Sequence, residues 1–373
     1  MFPREEVPAR PFESSQASES TPRRRPTTVP LSIPYTKSSS EFLYGTSAVT
    51  AALQAHRRKL YKLYVYEGAN REELRRDDAV RKMAQSAGVE AVGVHGDWIR
   101  LMDKLSAGRP HNYDEEEDEE ALMKYTQGYI LEASPLPKLP VIGLDRVVYG
   151  SEHLPLILHQ QSREEEEING ISNMLPRSGP RDRFPLIVML DGILDPGNLG
   201  AIFRSAYFFG VDAIAISQRN SAPISPVVLK ASAGAAENIP LMSVGNPTSF
   251  VDNARQNGWK MLAAVAPMPV SSRAAGASEN YLAMADVGAP LRQAPCLLVF
   301  GSEGDGLRWM VRKKADHEVG IEGSRLGQGG VDSLNVSVAA ALLCQALLQP
   351  RGGDRDQLPT QPVQPRIASQ KLF

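Results

Sequence analysis

The chain has 373 residues, enough for two domains with tails, and no apolar run approaches the ~20 residues that a membrane helix needs. Its two cysteines, Cys296 and Cys344, cannot make a disulfide framework and stand in no Cys/His cluster; they read as buried apolar fillers, and no metal is expected. The net charge of −2 hides an asymmetry: setting aside the acidic runs Asp114 to Glu120 and Glu164 to Glu167 leaves +9 on the remainder, and solvated acidic runs need not face the same side as a basic binding surface.

Residues 1–40 are rich in Ser, Pro and Arg and poor in large apolar residues, which predicts a disordered segment. Arg4, Arg10 and Arg23 to Arg25 suit an organelle-targeting peptide, whereas Glu5, Glu6, Glu13 and Glu19 suit a plain disordered tail. Order is expected from Glu41. Thr46 and Ser47 are helix N-caps ahead of a helix over 48–58, Tyr61 to Tyr66 is strand-like, and a polar helix over 71–87 precedes a short strand at 89–94. Asp97 caps a further short helix, and one more strand is predicted over 128–131. Together these make a small α/β domain over 41–149, interrupted by an acidic insert at 113–127. The stretch 150–183 mixes Glu, Ser, Pro and Gly and reads as a linker.

From Phe184 strands and helices alternate. Strands are predicted at 186–190, 211–216, 261–265 and 297–300. Helices are predicted over 199–209, ending at 258, and over 336–348. The pattern argues for a parallel sheet covered by helices on both faces, over 184–349, with a disordered tail at 350–373.

Three segments of this second domain end strands with glycine and polar residues, where parallel sheets bind ligands. In the first, Leu190 to Arg204, Pro196-Gly197 makes a turn and Asn198 stands as the expected N-cap. Arg204 lies in an apolar run. Either its planar donor fork is there for a phosphate or carboxylate, or it snorkels or pairs with a buried acid. The second, Leu298 to Leu307, runs a strand into a glycine-rich loop holding Glu303, and is neither a P-loop nor a dinucleotide fingerprint. In the third, Gly330 to Ala341, Ser333, Asn335 and Ser337 surround Leu334 at the start of an apolar helix, more polar groups than one cap requires. No histidine sits in these loops, and no zinc spacing or nucleophile elbow is present, so the chemistry should need neither a metal nor a nucleophilic Ser or Cys.

The stretches Asp195-Pro-Gly-Asn-Leu-Gly-Ala-Ile-Phe-Arg-Ser205, Phe300-Gly-Ser-Glu-Gly304 and Ser333-Leu-Asn-Val-Ser-Val-Ala339 resemble the three successive motifs of the SpoU/TrmH (SPOUT) methyltransferases. Leu229 to Glu237 is similar to the family's segment between the first two, and the resemblance covers about 184–349. Phe42 to Leu53 resembles the opening of the ribosomal-protein-L30e-like RNA-binding domain that precedes the catalytic one in rRNA-modifying members. Arg219 to Gly234 is similar to the mitochondrial branch that methylates a guanosine ribose of large-subunit rRNA. One departure is seen: the family's His–Gln/Asn–Gly turn is split here, His111-Asn112 and Gly128 standing on either side of the acidic insert.

The resemblance implies a trefoil-knotted α/β catalytic domain, a homodimer, S-adenosylmethionine held in the knot, an rRNA substrate and a mitochondrial location. It assigns Arg204 to the ribose hydroxyl, with Asn198, Glu303, Asn335 and Ser337 positioning substrate or Arg204. It places Gly301, Ile321, Ser333 and Leu334 at the cofactor. Arg57, Arg58, Lys59 and Lys62 are the candidates for phosphate contacts, against the alternative of a solvated helix end. A tRNA ribose methyltransferase of the same family and a catalytically silent RNA-binding assembly factor are the competing readings.

Overall fold

The computed structural model describes residues 32–67, 74–96, 98, 101–102, 128–266, 280–324 and 333–348. The expected targeting segment, the Asp97 cap, the acidic insert and the C-terminal tail lie outside them, save for residues 32–40. Among the described residues no helix is long and apolar enough to cross a membrane.

The first domain is a four-stranded sheet in the order β1-β4-β2-β3, built from β1 (Glu41–Tyr44), β2 (Leu60–Tyr66), β3 (Glu90–Val94) and β4 (Tyr129–Ala133). Strand β4 runs antiparallel to both neighbours, while β2 and β3 are parallel and joined by helix α2 (Leu74–Ser86). Helix α1 (Thr46–Ala55) ends at His56, which takes a left-handed conformation. One sheet face packs Leu43, Leu63, Val65 and Leu131 against the helices, in a core continuous with that of the second domain. The other face buries Ile33, Tyr44, Tyr66 and Ile130, and Tyr64 stacks on Trp98 at 5.5 Å.

The ordered chain therefore begins ahead of the expected boundary at 41. Ile33 is buried, and the fully buried Glu132 carboxylate accepts hydrogen bonds from Ser40 Oγ and Thr36 Oγ1, each at 2.6 Å, and from the Thr36 backbone. A carboxylate in the interior must be satisfied by donors, and 36–40 supply them.

The second domain is a ten-stranded sheet. Its strands are β5 (Leu139–Leu144), β6 (His153–Leu158), β7 (Met174–Pro176), β8 (Leu186–Leu190), β9 (Ala213–Ser217), β10 (Leu241–Val244), β11 (Lys260–Ala264), β12 (Tyr281–Leu282), β13 (Cys296–Phe300) and β14 (His317–Val319). Their order is β12-β14-β11-β13-β8-β9-β10-β5-β6-β7. All pairs from β12 to β5 are parallel; β6 and β7 extend the sheet antiparallel. Every residue of β8, β9 and β13 is buried, as strands covered on both faces require. The helices of this domain include α4 (Pro196–Phe209), α5 (Pro226–Ala231), α6 (Ala235–Asn238), α7 (Pro247–Gln256), α8 (Ala289–Gln293), α9 (Trp309–Arg312) and α10 (Val336–Leu348); α10 packs on α4. Cys296 and Cys344 are free and buried, and burial pushes both thiols up to about 12.

The expected linker at 150–183 is structured. It holds β6, helix α3 (Arg163–Asn169) and β7, and Leu154 and Leu156 are core residues. Ser162 and Glu165 form a reciprocal capping box that starts α3 within a run whose Glu content looked like linker. Arg177 is buried and donates to Asp212 Oδ1 at 2.8 Å; Asp212 also accepts from Arg183 and from the Leu186 amide, anchoring the stretch under the sheet. Because β5 pairs with β10, the chain leaves the first domain near Ser134 rather than at 149.

Candidate active site

Strands β8, β9 and β10 are laid down in one direction across the sheet, and β13 and β11 on the other side of β8. The carboxyl ends of β8 and β13 thus flank a topological switch point, where open α/β sheets leave a crevice. Two loops leave it side by side, with the Asp191 amide donating to Phe300 O at 2.9 Å. Arg308 fastens them: its guanidinium is bidentate to the buried Asp191 carboxylate, both contacts at 2.8 Å. A planar fork matched to a carboxylate fixes orientation as well as distance.

The loop after β13 folds back on itself through paired backbone hydrogen bonds between Ser302 and Gly306, both 3.0 Å. A side chain on Gly301 is impossible, since a Cβ there would lie 2.2 Å from the Gly306 carbonyl. The result is a cavity of ≈ 450 Å³, within the range of small-molecule sites. Gly301, Ile321, Ser333 and Leu334, the four positions expected at the cofactor, all line it. Apolar Val265, Ile321, Leu334 and Leu343 line it together with Gly301, Gly304, Gly306 and Gly320. A flat purine fits between such walls, with peptide groups at its edges, so the donor set suits an adenosine-bearing cofactor.

On the rim, four of the five predicted catalytic residues form one polar chain. Asn198 Nδ2 donates to Glu303 Oε1 at 2.5 Å, and Asn335 Nδ2 donates to Asn198 Oδ1 at 3.1 Å. Asn335 Oδ1 in turn accepts from Ser337 Oγ at 2.6 Å and from the Ser337 amide at 2.9 Å. Asn198 does not cap its helix, contrary to expectation: Asp195 is the N-cap and accepts from the Asn198 amide at 2.7 Å, with Pro196 in the first turn. The Asn198 side chain is thereby released to the cavity.

Arg204 does not line the cavity. It lies about 1.7 turns along α4, roughly 9 Å down the axis from Asn198 and about 240° round it. It is exposed and has no hydrogen-bond or ion-pair partner among the described residues, so it is not the Arg of a buried pair.

The four candidates for phosphate contact separate. Arg58 is fully buried, bonded to Glu237 at 2.7 Å and to Glu41 and Ser134 O, and offers no face to a phosphate. Arg57 donates to Glu237 O and Ile239 O, and burial, with Arg58 beside it, lowers its pKa despite Glu237. Both therefore bind the first domain to the α6 turn of the second, correcting the expectation. The same contact explains Gly234, whose missing Cβ leaves room for Ala51 and Ser47 O of α1. Lys59 and Lys62 remain at the surface, opposite Glu167 at 3.8 Å and Glu90 at 3.3 Å. The Arg308–Asp191 pair has only faint traces in the sequence: an acid directly after the apolar strand β8, and an Arg eight residues past the end of β13.

Residues 185–345 match the SpoU rRNA Methylase family model. The chain is 32% identical over 313 residues to rRNA methyltransferase 1, mitochondrial, of Schizosaccharomyces pombe, covering 84% of this chain and 91% of that one. It is 27% identical over 318 residues to a 23S rRNA (guanosine-2′-O-)-methyltransferase of Pseudomonas syringae pv. tomato, covering 85% and 99%. Among solved structures, an AdoMet-bound rRNA methyltransferase from Sinorhizobium meliloti superposes with TM-score 0.53 at 17% identity, over 86% of this chain and 89% of that one, and so shares the fold.

Proposed function

The chain belongs to the SpoU rRNA methylase family, and from there we propose that it transfers methyl from S-adenosylmethionine to a ribose 2′-hydroxyl of RNA, at a guanosine of mitochondrial large-subunit rRNA. The observation that carries this is the meeting of Asn198, Glu303 and Asn335, from three separate stretches, on the rim of the cavity at the switch point.

When bound, the cofactor supplies an electrophilic methyl group. The chain's own work is to align the 2′-oxygen behind it and help the proton leave. The linked amides of Asn198 and Asn335 and the Glu303 carboxylate offer directed donors and acceptors at the rim. Arg204 is free to hold the target's phosphate and hydroxyl; since a guanidinium cannot ordinarily give up its proton, the phosphate it holds receives the proton from the hydroxyl. The substrate is RNA, because the reacting hydroxyl is the 2′-OH.

Four further parts belong to this reading. The catalytic domain is a trefoil knot, supported by α10, which follows β14 in the chain, packing on α4 while Ala339 and Leu343 line the cavity. The first domain is an L30e-like RNA-binding module, supported by its β1-β4-β2-β3 sheet with α1 and α2. The active form is a homodimer, supported by Tyr207, Phe208, Val338 and Leu342, exposed apolar residues on the packed helices α4 and α10. The mitochondrial name of the fungal relative supports that location.

The test is methyl transfer from labelled S-adenosylmethionine to mitochondrial large-subunit rRNA by wild type and Arg204→Ala, with mapping of 2′-O-methyl sites. One methylated guanosine ribose, absent with the variant, is the expected result. Cofactor binding without transfer to any RNA overturns the substrate.

A further inference from the structure

We propose that a second cavity, built across β9, β10 and β5, receives an unpaired nucleobase of the substrate RNA next to the methylated ribose. The inference rests on the RNA methyltransferase reading above.

The cavity measures ≈ 530 Å³. Its floor is a row of side chains across three parallel strands, Ile216, Ser243 and Pro140, placed in register by the sheet. Leu136, from the segment leaving the first domain, and Ile168 of α3 form walls, and Ile224 closes it from the loop after β9. It therefore lies between the segment leaving the first domain and the loop after β9.

Three features select the occupant. Its walls are apolar and suit the faces of a flat ring. The Gln218 amide and Ser243 hydroxyl line it without a side-chain hydrogen bond among the described residues, so donors and an acceptor are free for a base edge. Its charges oppose a phosphate: one lysine, Lys138, and one carboxylate, Glu165, line it, and Glu164, Glu166 and Glu167 share the adjoining helix. An uncharged planar group with polar edges fits all three.

The occupant is also tied to the reacting centre. Ser221 lines the cavity, bonds Ser217 Oγ at 3.0 Å and accepts from the Gly192 amide at 3.2 Å. The next amide, Ala222, donates to Ile193 O at 2.8 Å. The loop that closes the cavity is thus bonded to the loop that carries Asp191 and ends at the Asp195 cap of α4, from which Asn198 projects. A base seated there would brace the motif loop and set the register of the strand on the enzyme.

The experiment uses the full chain. Once wild type has mapped the methylated ribose, short RNAs spanning it are made with one abasic nucleotide at each flanking position in turn, and assayed with wild type, Gln218→Ala and Ile224→Trp, which fills the cavity. In wild type, one abasic position should raise KM for RNA about tenfold. Ile224→Trp should raise KM for intact RNA by a similar factor, leave kcat and S-adenosylmethionine affinity unchanged, and show no further loss with that abasic RNA. A flat abasic scan, or losses that multiply in the variant, overturns the proposal. If Ile224→Trp does not fold, Gln218→Ala, an exposed side chain, decides: an unchanged KM for intact RNA overturns the proposal. Wild type that binds cofactor yet methylates no RNA overturns the parent reading instead.

Discussion

Asn198 and Glu303, 105 positions apart in the chain, meet side chain to side chain at 2.5 Å, and Asn335 completes the contact from the other side of Asn198. The Asn198 amide is thereby fixed in one orientation, its nitrogen toward the carboxylate and its oxygen toward Asn335. Replacing Asn198 by Ala frees both partners. Methyl transfer should fall about 100-fold, as misplacements of an ångström do, while the melting temperature stays near that of wild type because the site is at the surface. A single-turnover assay beside a thermal melt checks both parts.

Gly301 sets the width of the cofactor cavity. With a Cβ at 2.2 Å from the Gly306 carbonyl, Gly301→Ala must open the loop. The variant should lose the rise in melting temperature that S-adenosylmethionine gives wild type, whereas Gly304→Ala, which meets nothing within 4 Å, should keep it.

Arg58 and Glu237 form a buried pair between the domains, with side chains 0% and 1% exposed. Glu237→Ala leaves a guanidinium in the interior with only Glu41 and a carbonyl, and should cost about 3–5 kcal/mol in urea unfolding. Arg58→Lys should not rescue, since a point charge cannot reproduce the fork.

Lys59 and Lys62 sit on the same stretch as Arg57 and Arg58 yet face solvent. Each Lys→Ala change should weaken RNA binding and flatten the plot of log affinity against log salt by about 0.7–0.9. A slope unchanged in the double variant removes this surface from the RNA contact.

The two thiols give a pH signature. Both are protonated below about pH 8 folded or unfolded, so stability there does not depend on them. Above the ordinary thiol range the unfolded chain releases protons that the folded chain holds until about 12. Each thiol then removes roughly 1.4 kcal/mol of stability per pH unit. Cys344→Ala should have a shallower loss between pH 9 and 10 in urea melts, and native protein should react with thiol reagents only as it unfolds.

Elements whose signals are local could be read from the chain alone. The helix predicted over 336–348 is α10 to the residue, because an apolar run with a polar start and Pro350 beyond it leaves little choice. The strands β8 and β13 were legible as apolar runs closed by Asp191-Gly192 and Gly301, and the loops that follow them carry Glu303 and Asn198. Short β10 and the strands within 150–183 were not legible, since three to six residues with Pro or Glu beside them acquire strand character only from the neighbours they pair with. Charge was read least well: Arg57, Arg58, Lys59 and Lys62 are one basic cluster in the chain. Burial divides it, because two of them reach Glu237 and the carbonyls near it while the other two turn to water. Local periodicity fixes a residue's element; which charges are desolvated, and which polar groups converge, depends on contacts more than a hundred residues apart, and those only the packed sheet brings together.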